Sequence, residues 1–509
     1  MKRIRPSLKS QGLIFSEHFI DDRLPGDHEV YAFDLLLNGA DLTEITDSYG
    51  SEGGKVYQPR DQTAVLLYAY SKGITSSYKI ANEIRVNLAF VYLAGGHMIS
   101  RRAICEFRRR NAPSLKRLFS STVQNAVEVG LVDENGVFSI DGSKFAADAS
   151  KSKTKTKEEW IERRAAIEKS VDHFLNEIEK NDQAEEGLEE DRARKFKKVV
   201  QKINELKAKK TKSKLETRDM KRAERHVIED EKISKLLEAH PELKADENIN
   251  LTEPESRLQQ NGTGEYLQGF NGQIMTSNRV IVAADLIEDQ NDQHALQAMV
   301  EKLEAELPAD AQFRLLTDAG YNRGENLKWL AAKKNIDAYV SMADRREDAK
   351  SDLEKAIGID AFDYDENEDR YVCPAGQSLE FLRTGESDGK LYNVYRAEIS
   401  ACQMCPARQK CLSTKDDLKA GAKIINDDGT LVFRKEMREK MALPESKLIY
   451  AERAIEPEPV FGHIKKNLGI RRFRMRGFAS MKGEFLLIAT AVNLSKLLRF
   501  KQRLITQAA

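Results

Sequence analysis

The sequence predicts a mixed α/β protein in which a single sheet-forming core is interrupted by two long insertions. Three observations carry this. Short β-branched and aromatic runs (VFSI, RVIVAADLI, FRLLT and IDAYVS) alternate with stretches of helical periodicity. Residues 151–245 alternate blocks of Lys/Arg and Glu/Asp with no proline before Pro241. Residues 343–449 are loop-rich and hold four of the five cysteines.

Taken in order, residues 1–58 form a lead-in with short helices. Residues 59–132 read as a helical domain: Val65, Leu66, Leu67 and Tyr70 recur at helical spacing, as do Ile80, Ile84, Leu88 and Val91. Ser76 and Ser100 stand where N-caps belong, and Gly73 and Gly95–Gly96 where helices stop. The Arg-rich helix ISRRAICEFRRRN suits a small DNA-binding domain. Residues 133–150 and 246–342 form the core. A strand VFSI ends at Asp141, strands follow at Gln273–Met275 and Arg279–Ile287, and a helix spans His294–Leu307. A strand FRLLT ends at Asp318, a helix spans Glu325–Lys334, and a last strand begins at Ile336. Within 151–245, Trp160, Ile167, Val171, Phe174 and Ile178 recur at helical steps, as do Phe196, Val199, Ile203 and Leu206. Gly187 marks a break, so this insertion reads as a coiled-coil-like helical hairpin with a third helix around Met220–Leu237. Residues 450–509 read as an amphipathic, basic helical tail from Val460. The order of strands and helices matches a ribonuclease-H-like core better than a doubly wound nucleotide-binding fold, because no Gly-rich phosphate loop is present.

Composition excludes some classes and hides others. With 82 basic and 82 acidic residues in 509, the net charge is zero. No apolar stretch approaches the roughly 18 residues that span a bilayer. The basic start MKRIRPSLKS lacks the apolar core of a signal peptide, and five cysteines, an odd number, argue against a disulfide framework. A cytoplasmic protein with no membrane partner is expected. The neutral total conceals local excess. From His463 to Arg503 eleven Lys or Arg face one acid, Glu484, a local charge of +10. Arg101, Arg102, Arg108, Arg109, Arg110, Lys116 and Arg117 form a second cluster. Such patches, the first interleaved by Phe473 and Met475, fit phosphate backbones.

Three acids stand out by placement: Asp141 and Asp318 at strand ends, and Glu458 before VFGHIKK. Carboxylates from two strands and one helix suit hard divalent cations, which activate a water or hydroxyl and stabilise the leaving oxygen of a phosphodiester. Asp148 and Glu484 are rival acids.

These motifs resemble a bacterial insertion-sequence transposase of the DDE class, in the insertion-sequence-4 superfamily and most like its insertion-sequence-1182 group. The resemblance runs from about Gln58 to Leu498, excluding most of the charged insertion. LLYAYSKGITSSYKIANEI and ISRRAICEFRRRN resemble that group's helical domain, SIDGSKFAADAS its first acidic motif and LLTDAGYNRGENL its second. LTEPESR and GFNGQ also look like family segments. YAERAIEPEPVFGHIK is similar to the signature Y-x(2)-R-x(3)-E-x(6)-K. Here four residues, not three, separate Arg453 from Glu458, so Glu456 competes with Glu458. The prolines flanking Glu458 and its step to Lys465 favour Glu458.

The resemblance implies that Asp141, Asp318 and Glu458 hold two Mg²⁺ or Mn²⁺ ions. It implies that Arg453 and Lys465 hold DNA phosphate with Tyr450 beside them. Arg101, Arg108 and Arg109, with Arg471, Arg472 and Arg474, would contact further phosphates. Cys373, Cys402, Cys405 and Cys411 are spaced C-x(28)-C-x(2)-C-x(5)-C, which fits a structural zinc site, and related transposases carry a similar cluster. The implied activity is cutting at element ends and transfer of the 3′ ends to target DNA. Terminal inverted repeats and target duplex would be the partners, with a homodimer or higher oligomer in the synaptic complex. A nuclease of the same fold and an inert DNA-binding descendant are the alternatives.

Overall fold

A computed structural model describes residues 24–38, 40–49, 56–112, 114–179, 192–208, 214–260, 264–342, 357–387 and 389–508. The basic start, the Gly187 break and the side chains of Ile178 and Leu206 lie outside the described residues. The chain divides into two compact units. The first comprises Met1–Ser143, Asn271–Arg474 and Ala479–Ala509; the second comprises Lys144–Phe270 and Met475–Phe478.

The first unit begins with helices α1 (Glu29–Asn38), α2 (Thr43–Asp47), α3 (Pro59–Ser71), α4 (Ser77–Val86), α5 (Leu88–Leu93), α6 (Arg101–Asn111) and α7 (Leu115–Glu128). Helix α3 is buried on almost every face, from Asp61 to Tyr70, so the others wrap around it. The Ser100 hydroxyl accepts the Ala103 N–H at 3.2 Å, the expected N-cap, whereas Ser76 makes no such bond. Gly73, Gly95 and Gly96 have φ of 72°, 60° and 74°, the left-handed helix stops the spacing suggests.

A sheet follows, built from β1 (Val137–Ala146), β5 (Tyr266–Ser277), β6 (Val280–Ile287), β7 (Phe313–Thr317) and β8 (Ile336–Val340). Its order in this unit is β6-β5-β1-β7-β8. Strands β1, β7 and β8 are parallel neighbours, and β5 and β6 form an antiparallel hairpin. Helix α11 (Leu296–Glu304) bridges β6 to β7, and α12 (Gly324–Ala332) bridges β7 to β8. Two strands outrun the sequence reading. Strand β1 continues five residues past Asp141 to Ala146, and β5 spans twelve residues rather than three. Asp141 is therefore within a strand, not at its end.

The segment expected to be loop-rich contains a five-stranded antiparallel sheet ordered β13-β12-β11-β10-β9. Its strands are β9 (Asp363–Asp365), β10 (Arg370–Val372), β11 (Ser378–Ser387), β12 (Lys390–Ala397) and β13 (Ile424–Asp427). Its core is small: Phe362, Tyr371, Leu379, Tyr395, Ala397 and Ile425. Most of β11 is exposed, so the apolar alternation that announces a strand is absent from its sequence.

Helices α13 (Ile399–Gln403), α14 (Arg408–Cys411), α15 (Lys415–Ala420), α16 (Leu431–Ala442), α17 (Pro444–Ala451), α18 (Pro457–Gly462) and α19 (Phe478–Ala508) complete this part of the chain. The tail is not helical throughout: residues 468–477 are irregular. Asn493 in α19 is fully buried and completes the edge of β6. Its side chain accepts the Ile281 N–H at 2.9 Å and donates to the Ile281 carbonyl at 2.8 Å. That satisfies a strand edge that would otherwise expose unpaired backbone groups. Gly483 lets α19 approach α6, since a Cβ there would lie 2.5 Å from that of Ala112.

The second unit holds the charged insertion: helices α8 (Lys157–Glu179), α9 (Arg192–Ala208) and α10 (Lys214–Ala239). They share one apolar core containing Trp160, Ile167, Val171, Phe174, Val199, Ile203, Met220 and Ile233. The charge blocks serve as cross-helix pairs, Arg163 with Glu229 at 2.8 Å and Arg164 with Asp230 at 3.1 Å. Strands β2 (Thr154–Thr156) and β3 (Asn248–Asn250) close the base of the bundle, and β4 (Arg257–Gln260) pairs with the first half of β5.

Candidate active site

Register brings the two aspartates together. Ser139 of β1 is paired with Leu316 of β7 in a parallel ladder, and Asp141 and Asp318 each stand two residues further along. The apolar side chains that fix β1 are Phe138 and Ile140, both fully buried. Asp318 is anchored where β7 ends: its Oδ1 accepts the Gly320 N–H at 2.9 Å. Asp141 Oδ1 accepts the N–H of Gly142 at 2.8 Å.

The third acid arrives from the far end of the chain. A one-turn 3₁₀ helix, Glu452–Ile455, points Arg453 at both aspartates. Its guanidinium lies 3.6 Å from Asp141 Oδ1, 3.5 Å from Asp318 Oδ2 and 4.0 Å from Glu458 Oε1. Arg453 is largely buried and its Nε has no hydrogen-bond partner. The three acids singled out in the sequence thus surround one cation. Tyr450 donates to the Thr317 carbonyl at 3.1 Å, next to Asp318, and Lys465 donates to the Ser143 hydroxyl at 2.6 Å, two residues past Asp141.

The rival acids are engaged elsewhere. Glu456 is buried, and its Oε2 accepts the Arg279 N–H at 2.8 Å. Glu484 is buried between the Tyr70 hydroxyl, at 2.8 Å, and the Arg474 N–H, also at 2.8 Å. Asp148 pairs with Arg476 at 2.8 Å within the second unit.

A fourth carboxylate, Asp292, escaped the sequence reading. Its Oδ1 accepts from the amides of Asn271 and Gln273, each at 2.6 Å. Tyr321, fully buried, donates to the Gln273 carbonyl. A Cβ at Gly142 would fall 2.2 Å from Asp292 Oδ1, and one at Gly320 would fall 2.9 Å from Asp318 Oδ1 and 3.4 Å from Asp292 Oδ2. The glycines of the two acidic motifs therefore make room for the acids. The available signal was GFNGQ, which places two amides at alternate positions of a buried strand.

Burial pushes the Asp141 carboxyl up to about 6; the Arg453 guanidinium opposes that rise, and the Asp318 and Asp292 charges add to it. Among the described residues, no three His, Cys, Asp or Glu side chains are gathered as a metal-ligand set. Asp141, Asp318 and Glu458 instead face the Arg453 guanidinium. Their chemistry nevertheless fits a hard cation, since the donors are all carboxylate oxygens already gathered on a positive charge.

The expected DNA contacts divide. Arg101, Arg471, Arg472 and Arg474 are exposed, and Arg109 is exposed while paired with Glu106 at 2.8 Å. Arg108 corrects the reading of its cluster. It is buried, donating to the Tyr70 hydroxyl at 2.9 Å and the Thr75 carbonyl at 2.8 Å, so it is spent on the interior.

Cys373, Cys402, Cys405 and Cys411 all line one cavity of about 480 Å³. The Gln377 N–H points at the Cys373 sulfur at 3.3 Å, and Cys373 N–H donates back to the Gln377 carbonyl at 2.8 Å. Burial pushes the Cys411 thiol up; Lys423 opposes this, and Cys402, Asp417 and Cys373 add to it.

No helix among the described residues is long and apolar enough to cross a membrane. No curated protein matches the chain. Residues 372–498 match the model of a transposase DDE domain, and residues 18–110 match that of a transposase domain (DUF772). The first segment contains Tyr450, Arg453, Glu458, Lys465 and the four cysteines; the second contains Arg101, Arg108 and Arg109. Each end of the chain is thus similar to a transposase domain, and the two matches together support a transposase of the DDE type.

Proposed function

We propose that the protein is a DNA transposase that cuts phosphodiester bonds at the ends of an insertion element and joins the freed 3′ ends to target DNA. The observation that carries this reading is the convergence of Asp141, Asp318 and Glu458 on Arg453, three segments brought to one point from across the sequence. The strand order β6-β5-β1-β7-β8, with its antiparallel hairpin beside parallel strands, supports a ribonuclease-H-like core. Asp141, Asp318 and Glu458 would hold Mg²⁺ or Mn²⁺. Bound there, the ions would polarise the scissile phosphate and lower the pKa of an attacking water or hydroxyl.

The chain's own residues supply the rest. Asp318 is fixed by the turn that follows it, and Asp141 by its strand, so neither must be ordered when substrate arrives. Arg453 carries a planar set of donors that suits either a carboxylate or a phosphate oxygen. Lys465, beside Ser143, brings a second positive charge near the first acid. The exposed arginines 101, 109, 471, 472 and 474 would track the duplex backbone and bring terminal repeats to the site. The four cysteines would bind zinc and hold together a sheet whose apolar core is only six residues.

Incubation with a plasmid carrying inverted element ends and Mg²⁺ tests the proposal. Cleavage and joined products are expected from the unaltered chain, and neither from Asp141→Asn or Asp318→Asn. Cleavage that survives both substitutions refutes the triad. Cleavage without joining leaves a nuclease, and tight binding without cleavage leaves an inert DNA-binding protein.

A further inference from the structure

Strands β5 and β6 are joined by the two-residue turn Asn278-Arg279, whose residues have φ of 48° and 62°. Such turns favour glycine at the second position, so an arginine there is held against its backbone preference. Glu456 does the holding, with its carboxylate on the Arg279 N–H. The result is that Arg279 lines a cavity of about 190 Å³. His463, Lys496 and Arg499 line it as well, over an apolar floor that includes Val460 and Val492.

No acid is part of that lining among the described residues. Among the described residues Lys496 and Arg499 have no carboxylate within ion-pair distance, and the nearby Glu456 is committed to the turn. Arg279, Lys496 and Arg499 crowd like charge around so small a space, a repulsion that an entering anion offsets. Burial holds the Lys496 amine below its usual range, and Arg279, Arg503 and Arg499 add to that while Glu456 opposes it. Burial likewise lowers His463, with Arg499 adding to it. The cavity is tied to the catalytic segment. Pro459 and His463, one and five residues past Glu458, both line it, and His463 opens the π-helical turn that carries Lys465.

We propose that this cavity is a separate oxyanion site that seats one DNA backbone phosphate, gripped by Arg279, His463, Lys496 and Arg499. This rests on the transposase reading for the source of the phosphate, but not for the chemistry of the pocket. A phosphate seated there would fix the duplex against the segment bearing Glu458 and help set which bond meets the triad.

The test measures binding of a fluorescein-labelled duplex to the full chain across a sodium chloride series. Lys496→Gln/Arg499→Gln is expected to weaken binding roughly tenfold at moderate salt. It should also flatten the slope of log affinity against log salt by about one, the loss of one phosphate contact. Arg499→Gln alone, at an exposed position, should give a smaller change of the same sign, and Lys496→Arg should restore the slope. An unchanged slope in a variant that melts like the unaltered chain overturns the proposal. A parallel titration with sodium phosphate, against chloride at equal ionic strength, follows the His463 ring by NMR. His463 should respond in the unaltered chain and not in the double variant; no response overturns the oxyanion site. If the unaltered chain binds no duplex while His463 still answers phosphate, the transposase reading fails and the pocket's chemistry stands.

Discussion

The Arg453 guanidinium stands 3.5 Å from Asp318 Oδ2 while also facing Asp141 and Glu458, so one side chain supplies the counter-charge for three acids. Removing it takes away a positive charge that both aspartates face. Arg453→Gln should therefore destabilise the metal-free chain by about 2 kcal/mol in urea unfolding. Added Mg²⁺ or Ca²⁺ should raise the melting temperature more in the variant than in the unaltered chain. Equal metal-free stability would show that the guanidinium is not the counter-charge.

Asp141 gives a pH signature. Its folded pKa, about 6, lies above the ordinary 3.8, so folding favours the protonated form. The stability this contributes is complete below about pH 4 and lost as pH rises through 6. Asp141→Asn removes that loss. Without metal, it should match the unaltered chain near pH 4 and exceed it by about 2 kcal/mol at pH 7. Metal affinity of the unaltered chain should fall below pH 6, where Asp141 takes up its proton.

Gly142 and Gly462 should respond oppositely to alanine. At Gly142 a Cβ meets Asp292 Oδ1 at 2.2 Å and Gln273 Nε2 at 2.4 Å, so Gly142→Ala should cost about 2–3 kcal/mol and disturb the site. At Gly462 nothing lies within 4 Å, and Gly462→Ala should leave stability unchanged or raise it by up to about 1 kcal/mol. Thermal or urea melts of the two variants decide the matter.

Two neighbouring arginines in α6 separate in the same way. Arg108→Ala removes the donor to the buried Tyr70 hydroxyl and the positive charge beside Glu484, and should cost about 3–5 kcal/mol. Arg109→Ala touches only an exposed pair with Glu106 and should change stability by less than about 0.5 kcal/mol while weakening DNA binding.

Metal analysis of the purified chain should find one zinc per molecule. Chelation or Cys405→Ser should release it and melt the five-stranded sheet before the rest. A zinc-free chain with that sheet intact would assign the cysteines to packing alone.

Much of the site was legible because its residues punctuate strong patterns. Asp141 and Asp318 follow runs whose β-branched and aromatic side chains mark strands, and parallel register carries both acids to one level. The sequence already favoured Glu458 over Glu456 through its flanking prolines and its step to Lys465; that Glu456 is engaged by a hairpin turn some 177 residues away was not legible. Arg108 looked like its neighbours because a helix face cannot be assigned until its partners are known. Asp292 sits in a polar loop, EDQNDQH, where nothing local distinguishes one acid from the next. The strands of the cysteine-bearing segment were missed because an exposed sheet lacks the period-two signal.

The buried bond between Tyr70 and Glu484 joins residues 414 apart, one from each of the segments that resemble transposase domains. Arg108 and Arg474 complete that knot from the same two segments. The ends of the chain are therefore not exchangeable parts. A chimera that borrows its first 130 or so residues from a relative would inherit half of a buried ionic network, and recombination between such genes would succeed only where both halves travel together.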